Sequence, residues 1–334
     1  MTYKNIKLIK IIKNFLILFY IFIFISLSVY IFSFYSISKK KVFDLFWINS
    51  IQKSLYWGGL IKSFPCYRYD SKIAYVPAEG FCRWKNLEFD TILTFTKYFR
   101  KNNNYEQISD DLPAIAVLGD SYSMGWGVND NETFSAILEK KLNRKVYNFG
   151  VSGYGTYQEI LRFIHSPYYK KINNIIIQYH INDLETNYAF ERKSGIFSEK
   201  FIEKNFLKPK EFTSQERINF VLRHYKKSWR LLYRDIKNLF LKPNKVDFND
   251  HEDKFLEILK KYNYFDDKKI IFFYINGYNS DFTNYYEKKF KNVNFVKINV
   301  NKKENYFIID DHINQKGHKI IAEELEKIIK NINW

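Results

Sequence analysis

Hydrophobic and polar positions alternate in three different ways along this chain. From Phe15 to Ile37 the sequence reads FLILFYIFIFISLSVYIFSFYSI, 23 residues without a charge. A helix of that length, at about 1.5 Å per residue, crosses a hydrocarbon core of about 30 Å. No short apolar core ending in small residues follows, as a cleaved signal peptide requires, so the pattern predicts an uncleaved signal anchor. Further on, short apolar runs end in glycine or asparagine. AIAVLGD at 114–120, KVYNFGVSGYG, NIIIQYHIND, KKIIFFYIN and VNFVKINV read as buried parallel strands running into turns.

Between these runs the apolar period lengthens to that of a helix. ETFSAILEKKL carries Phe134, Ile137, Leu138 and Leu142 on one face, a helix is expected from about Tyr157 to His165, and NQKGHKIIAEELEKIIKNI closes the chain as an amphipathic helix. Strands alternating with helices predict an α/β domain over residues 111–334, a three-layer α/β/α arrangement around a parallel sheet, with ligands beyond the carboxyl ends of its strands. A basic helical insertion, about 184–253, interrupts the alternation. Within it Thr213 and Glu216 form a candidate capping box, and Ile218, Val221, Leu222, Tyr225, Trp229, Leu232, Ile236 and Leu239 recur at helical spacing. Its polar face carries Arg223, Lys226, Lys227, Arg230, Arg234 and Lys237. That helix reads as a solvated packing helix, or as a lid or contact to anionic lipid or acidic glycan. Residues 1–42 form the anchor and 43–110 an aromatic stalk with an irregular or β-rich lead-in.

Composition changes this picture little. The net charge of +17 raises the question of nucleic acid. The lysines are spread along the whole chain, and no zinc-finger, helix-turn-helix or RNP-type pattern accompanies them, so no nucleic-acid partner is expected. Lysines 4, 7, 10 and 13 precede the apolar span and lysines 39, 40 and 41 follow it, which favours a cytoplasmic N-terminus only narrowly and puts the main domain outside the cytoplasm. In that compartment the two cysteines, Cys66 and Cys82, form a candidate disulfide, with two buried thiols as the alternative. They lack the further ligands at short spacing that a tetrahedral metal site needs.

The chemistry concentrates in GDSYSMGWGV, which places three of the chain's 12 glycines around a serine just behind a strand. A serine at that turn holds its hydroxyl at the sheet edge, beside the backbone amides of a helix start, which suits a nucleophile whose target develops negative charge. Ser121 sits there, with Gly119 and Asp120 supporting the turn. The block resembles the first block of the SGNH, or GDSL, hydrolases. NFGVSGYGT resembles their second block, HIND the third and DDHINQKGHKIIAEEL the last, in the family's order, over roughly residues 112–183 and 268–330.

The resemblance implies a flavodoxin-like SGNH fold and acyl transfer, with Ser121 as nucleophile, His312 as general base and an oxyanion hole from Ser121, Gly153 and Asn182. It departs from the family at two points. His180 stands where the third block usually has glycine, and the residue three before His312 is Ile309, so the orienting aspartate is Asp310 or else Asp311, with Asp310 preferred. His318 is the rival base, and the other histidines show no ligand spacing. These residues imply a membrane-anchored serine esterase acting on an acylated small molecule, lipid or glycan, with no metal or organic cofactor required. The alternatives are an O-acyltransferase of a cell-envelope or exported polysaccharide, which needs a separate membrane partner, and a non-catalytic binding protein on the same fold.

Overall fold

The computed structural model describes residues 3–56, 66–103, 108, 112–192, 214–240, 249–261, 265, 267–275, 292–332 and 334. The chain divides into two compact units. One comprises Met1–Ile61, Glu211–Lys242 and Ile308–Asp310, the other Lys62–Lys210, Pro243–Phe307 and Asp311–Trp334. This division differs from the expected anchor, stalk and catalytic domain: the aromatic lead-in after residue 62 belongs with the sheet, and the basic helix belongs with the anchor.

The larger unit is built on a five-stranded sheet in the order β6-β5-β7-β8-β9. Its strands are β5 (Ile115–Leu118), β6 (Val146–Asn148), β7 (Asn174–Tyr179), β8 (Lys269–Ile275) and β9 (Val293–Ile298), all parallel to their neighbours. Successive side chains point to opposite faces. Ala116, Leu118, Ile175, Ile177, Ile270 and Phe272 therefore face helices α5 (Thr156–Ile164) and α8 (Asn249–Lys261), sharing one core with Phe163 and Phe255. Ile115, Val117, Ile176, Ile271 and Phe273 face α4 (Phe134–Leu142) and α9 (Gln315–Asn331), packing with Leu138 and Leu325. Both faces being covered explains why these strands read as continuous apolar runs. The order reverses at β5, which pairs with β6 on one side and β7 on the other, so the crevice beyond the carboxyl ends of β5 and β7 is the topological switch point.

The lead-in forms two antiparallel hairpins, β1 (Tyr67–Asp70) with β2 (Ala74–Pro77) and β3 (Gly80–Lys85) with β4 (Asp90–Phe95). Cys66 and Cys82 are joined by a disulfide with Cα atoms 5.9 Å apart. Closing a loop of this size stabilises by about 3 kcal/mol. The hairpins bury Tyr75, Trp84, Phe89 and Leu93 against Met124, Val151 and Tyr154, which follow β5 and β6.

The smaller unit comprises α1 (Tyr3–Ser38), α2 (Phe46–Leu55) and α7 (Ser214–Phe240). Within α1, Lys10–Ser38 is long and apolar enough to cross a membrane. Residues 10 to 25 are exposed on every side, whereas Ser26, Tyr30, Ser33 and Ser36 lie on one buried stripe. Thr213 and the side chains of Glu216, Ile218, Val221 and Leu239 lie outside the described residues, so the expected capping box does too.

Candidate active site

Ser121 opens a short helix, α3 (Ser121–Met124), directly beyond β5. Asp120 caps it by accepting the Tyr122 N–H through Oδ1 at 2.9 Å, and the turn requires Gly119 at φ +149°. A Cβ on Gly119 would fall 2.3 Å from Ser123 Oγ. The second block approaches from the side: a Cβ on Gly150 would lie 2.4 Å from the Met124 backbone nitrogen, so only glycine lets that loop meet α3. Val151 N–H donates to the Gly119 carbonyl at 3.0 Å, tying the two loops together.

The far side of α3 is held by a residue that the sequence motifs did not single out. Arg100 is buried, donates from Nε to Asp130 at 2.8 Å, and reaches the carbonyls of Met124, Gly125 and Val128, each at 2.7 Å. One guanidinium thus satisfies three carbonyls of the loop behind Ser121. Arg100 lies 21 positions upstream in a segment with no helical or strand period, which is why no local pattern reveals it.

His312 Nε2 lies 2.8 Å from Ser121 Oγ. With a proton on Nδ1, Nε2 accepts the serine hydroxyl, the pairing through which an imidazole activates a serine. The imidazole ring stacks on Trp126, centroids 4.8 Å apart and 15° between planes, and packs at 5.1 Å against Tyr122. Two aromatic rings thus fix its orientation. The loop bearing it is shaped by the Phe307 N–H to His312 carbonyl bond, by Asp311 at φ +67°, and by the Tyr122 hydroxyl donating to the Asp311 carbonyl at 3.4 Å.

The two candidate orienting acids are placed differently. Asp311 is exposed, while Asp310 is buried in the smaller unit and accepts a hydrogen bond from the Tyr56 hydroxyl. His318 is fully buried, and its Nδ1 accepts the Phe134 N–H at 3.2 Å, with desolvation pushing its pKa down to about 3. It is a neutral core histidine whose Nδ1 lone pair is already used.

Asn182 precedes α6 (Asp183–Glu191) at the end of β7, across the switch point from Ser121. His180, in the family's glycine position, hydrogen-bonds through Nδ1 to the Asn182 side-chain oxygen and stacks on Tyr122 at 4.8 Å. With the Asn182 carbonyl oxygen so engaged, its amide N–H groups remain as donors. The turn closes despite the missing glycine, because His180 N–H donates to Asp183 Oδ2 and Asp183 N–H to the His180 carbonyl. Gly153 is exposed in the loop after β6 at φ +79°, beside Ser152, whose carbonyl accepts the Tyr75 hydroxyl at 2.8 Å.

Beneath these loops lie acids that the motifs did not reveal. Glu159 and Asp183 are fully buried, and desolvation, reinforced by neighbouring carboxylates, raises both well above the usual range. Neither Glu159 carboxyl oxygen has a hydrogen-bond partner among the described residues. Glu159 is therefore held neutral, since an unpaired buried charge would cost several kcal/mol. The described residues contain no cluster of three or more His, Cys, Asp or Glu suited to a metal ion.

No family model matches the chain, and no curated protein matches it. Solved structures with a similar fold include a protein assigned to the G-D-S-L lipolytic family from Desulfitobacterium hafniense, 14% identical over 65% of this chain and 99% of that one, at a TM-score of 0.34. A family two carbohydrate esterase from Clostridium thermocellum is 15% identical over 66% of this chain and 64% of that one, at a TM-score of 0.37. An acetylxylan esterase from Geobacillus stearothermophilus is 15% identical over 66% of this chain and 95% of that one, at a TM-score of 0.29.

Proposed function

We propose that this protein is a membrane-anchored serine esterase that removes an O-acyl group from a lipid, glycan or small molecule outside the cytoplasm. The observation that carries the reading is the 2.8 Å contact between Ser121 Oγ and His312 Nε2 at the switch point of a parallel sheet. As Ser121 Oγ bonds to the ester carbonyl carbon, its proton passes to His312 Nε2. The Ser121 and Gly153 N–H groups and the Asn182 amide stabilise the tetrahedral oxyanion. Collapse expels the alcohol, which takes the proton from His312. Water then attacks the acyl-enzyme with His312 again as base, releasing the carboxylic acid and regenerating Ser121.

Asp310 is assigned to orient His312, with Asp311 as the rival. The Trp126 and Tyr122 rings hold the imidazole in one orientation through both half-reactions. In an acyltransferase the acyl-enzyme would pass instead to a glycan hydroxyl, on the same residues.

The test compares wild type with Ser121→Ala for labelling by a fluorophosphonate and for hydrolysis of a short-chain aryl ester. The wild type is expected to label and turn over, and the variant to do neither, with kcat down by about 10³-fold or more. A folded wild type as inert as the variant overturns the enzyme reading in favour of a binding protein. Acyl transfer to an added glycan in place of hydrolysis selects the transferase.

A further inference from the structure

Tyr75, on β2 of the lead-in hairpins, is buried, and its hydroxyl donates to the Ser152 carbonyl at 2.8 Å. That carbonyl and the Gly153 N–H belong to one peptide group. The group is trans and planar, so its C=O and N–H point in opposite directions. With the carbonyl turned toward Tyr75, the Gly153 N–H points away from the hairpin, on the exposed side of the loop.

The rest of the loop is fixed around this group. Val151 N–H donates to the Gly119 carbonyl at 3.0 Å and Tyr154 N–H to the Val151 carbonyl at 3.2 Å, whereas the Gly153 N–H makes no hydrogen bond among the described residues. Gly153 has a φ of +79°, and glycine alone tolerates many backbone orientations, so local sterics do not fix the direction of its N–H. The hydrogen bond from Tyr75 does. Glycine is also required beside it, because a Cβ on Gly153 would lie 2.8 Å from the Tyr75 hydroxyl oxygen.

Tyr75 is itself held from several sides. Its carbonyl accepts the Tyr154 hydroxyl, and its ring packs edge-on against Tyr67 at 5.1 Å and Tyr154 at 5.2 Å. Gln158 Nε2 donates to the Ile73 carbonyl at 2.9 Å, and the Cys66–Cys82 disulfide ties β1 to β3. Ala74, the residue before it, is kept at φ +74°, a left-handed conformation that a residue with a Cβ adopts only where its surroundings impose it. Burial raises the Tyr75 phenol well above its ordinary pKa, so it remains a neutral donor.

We propose that Tyr75 is a positioning residue of the oxyanion hole: its hydroxyl holds the Ser152 carbonyl and so aims the Gly153 N–H into the crevice beside Ser121. It also strengthens that donor, because a peptide whose carbonyl accepts a hydrogen bond has a more polarised N–H. The proposal rests on the esterase reading and on the use of Gly153 within it.

The test uses the full chain in mild detergent. Tyr75→Phe keeps the ring and its packing and removes only the donor. It is expected to lower kcat for a short-chain aryl ester about tenfold at unchanged KM. Affinity for an arylboronic acid, which forms a tetrahedral adduct on Ser121, should weaken by a similar factor. In protein with isotope-labelled glycine amides, the Gly153 amide proton should move upfield in the variant, a readout that needs no turnover. A difluorotyrosine at position 75, a stronger donor of nearly the same shape, should move it downfield and raise kcat. Wild-type kcat and boronate affinity in Tyr75→Phe would overturn the proposal and leave the esterase reading standing. So would a loss confined to KM or melting temperature. An inert, folded wild type removes the esterase reading instead. An unmoved Gly153 amide sinks the positioning role whether or not the wild type turns over.

Discussion

The two units bury polar and apolar side chains in different proportions. In the sheet unit the deepest residues are Ile, Val, Leu and Phe of the strands, with polar groups admitted where they hold the loops at the strand ends. In the helical unit the buried stripe of α1 is Ser26, Tyr30, Ser33 and Ser36, facing Ser50, Gln52 and Ser54 of α2 and Ser228 of α7. Ile37, Ile51, Leu55 and Leu232 are buried beside them, while the large apolar residues of α1 before Ser26 point outward, Phe24 being 72% exposed. The helical unit adds hydrogen bonds between its helices to that packing, Gln52 Nε2 to Ser36 Oγ at 2.8 Å and Ser228 Oγ to Ser54 Oγ at 3.0 Å. One chain thus carries two kinds of core, and the helical one depends more on its side-chain hydrogen bonds.

The strongest way to break this contrast is at Arg100, a guanidinium buried among the loops of the sheet unit. Arg100→Ala removes the cation beside Asp130, which keeps the Thr94 N–H and Asn103 amide, and abandons three carbonyls, so about 3–5 kcal/mol of stability is expected to disappear in denaturant unfolding of the sheet unit. Fluorophosphonate labelling of Ser121 should fall with it. Next in size is Asn182→Ala, expected to lower kcat by about 10²–10³-fold with little change in stability. His180→Ala should cost about tenfold in kcat at constant KM, because it only aims the Asn182 amide.

On the helical side, Gln52→Leu removes the donor to Ser36 Oγ and to the Lys41 carbonyl and the acceptor of the Phe43 N–H. A loss of about 1–3 kcal/mol is expected from those abandoned partners. Swapping a polar for an apolar side chain would thus destabilise this unit, the reverse of what core hydrophobicity predicts. Thermal unfolding in detergent measures it.

A further effect depends on pH. Glu159 has a raised pKa in the folded state, so above its ordinary value of 4.5 the native protein holds a proton that the unfolded chain has released. Its contribution to stability is complete below that value and declines as pH rises toward the raised one, by at most about 1.4 kcal/mol per pH unit. Glu159→Gln removes this share of the decline while Asp183 keeps its own, so the variant should lose less melting temperature than the wild type as pH rises from 4.5 to 7. His318 acts in the opposite sense. With its pKa lowered to about 3, its contribution is complete above 6.5 and is lost as pH falls toward 3. The wild type should therefore weaken again in acid, and Glu159→Gln should not remove that limb.

The sheet unit was largely legible in the sequence because its signals are local. Runs such as NIIIQY and KIIFFYI can be buried on both faces only as central strands. Ser121 and His312 were legible for the same reason, each belonging to a short block next to a strand end or helix start. Arg100, Glu159 and Asp183 were not. A buried arginine serving carbonyls far along the chain leaves no periodic trace, and a buried acid reads like any surface glutamate or aspartate until its neighbours are known. The basic helix was legible as amphipathic, but its partner was not, since periodicity says which face is buried and not against what.

By itself, then, the sequence determined the strand–helix alternation, the apolar span, the disulfide pair and the serine and histidine at loop ends, because each is encoded within a few consecutive residues or by the chain's only two cysteines. Only the tertiary structure decided the strand order that sets Ser121 across from Asn182, the grip of Arg100 on the loop behind Ser121, and the membership of the basic helix in the unit of the apolar N-terminal helix. These depend on residues separated by tens to hundreds of positions, and they are selected by which surfaces can be buried together.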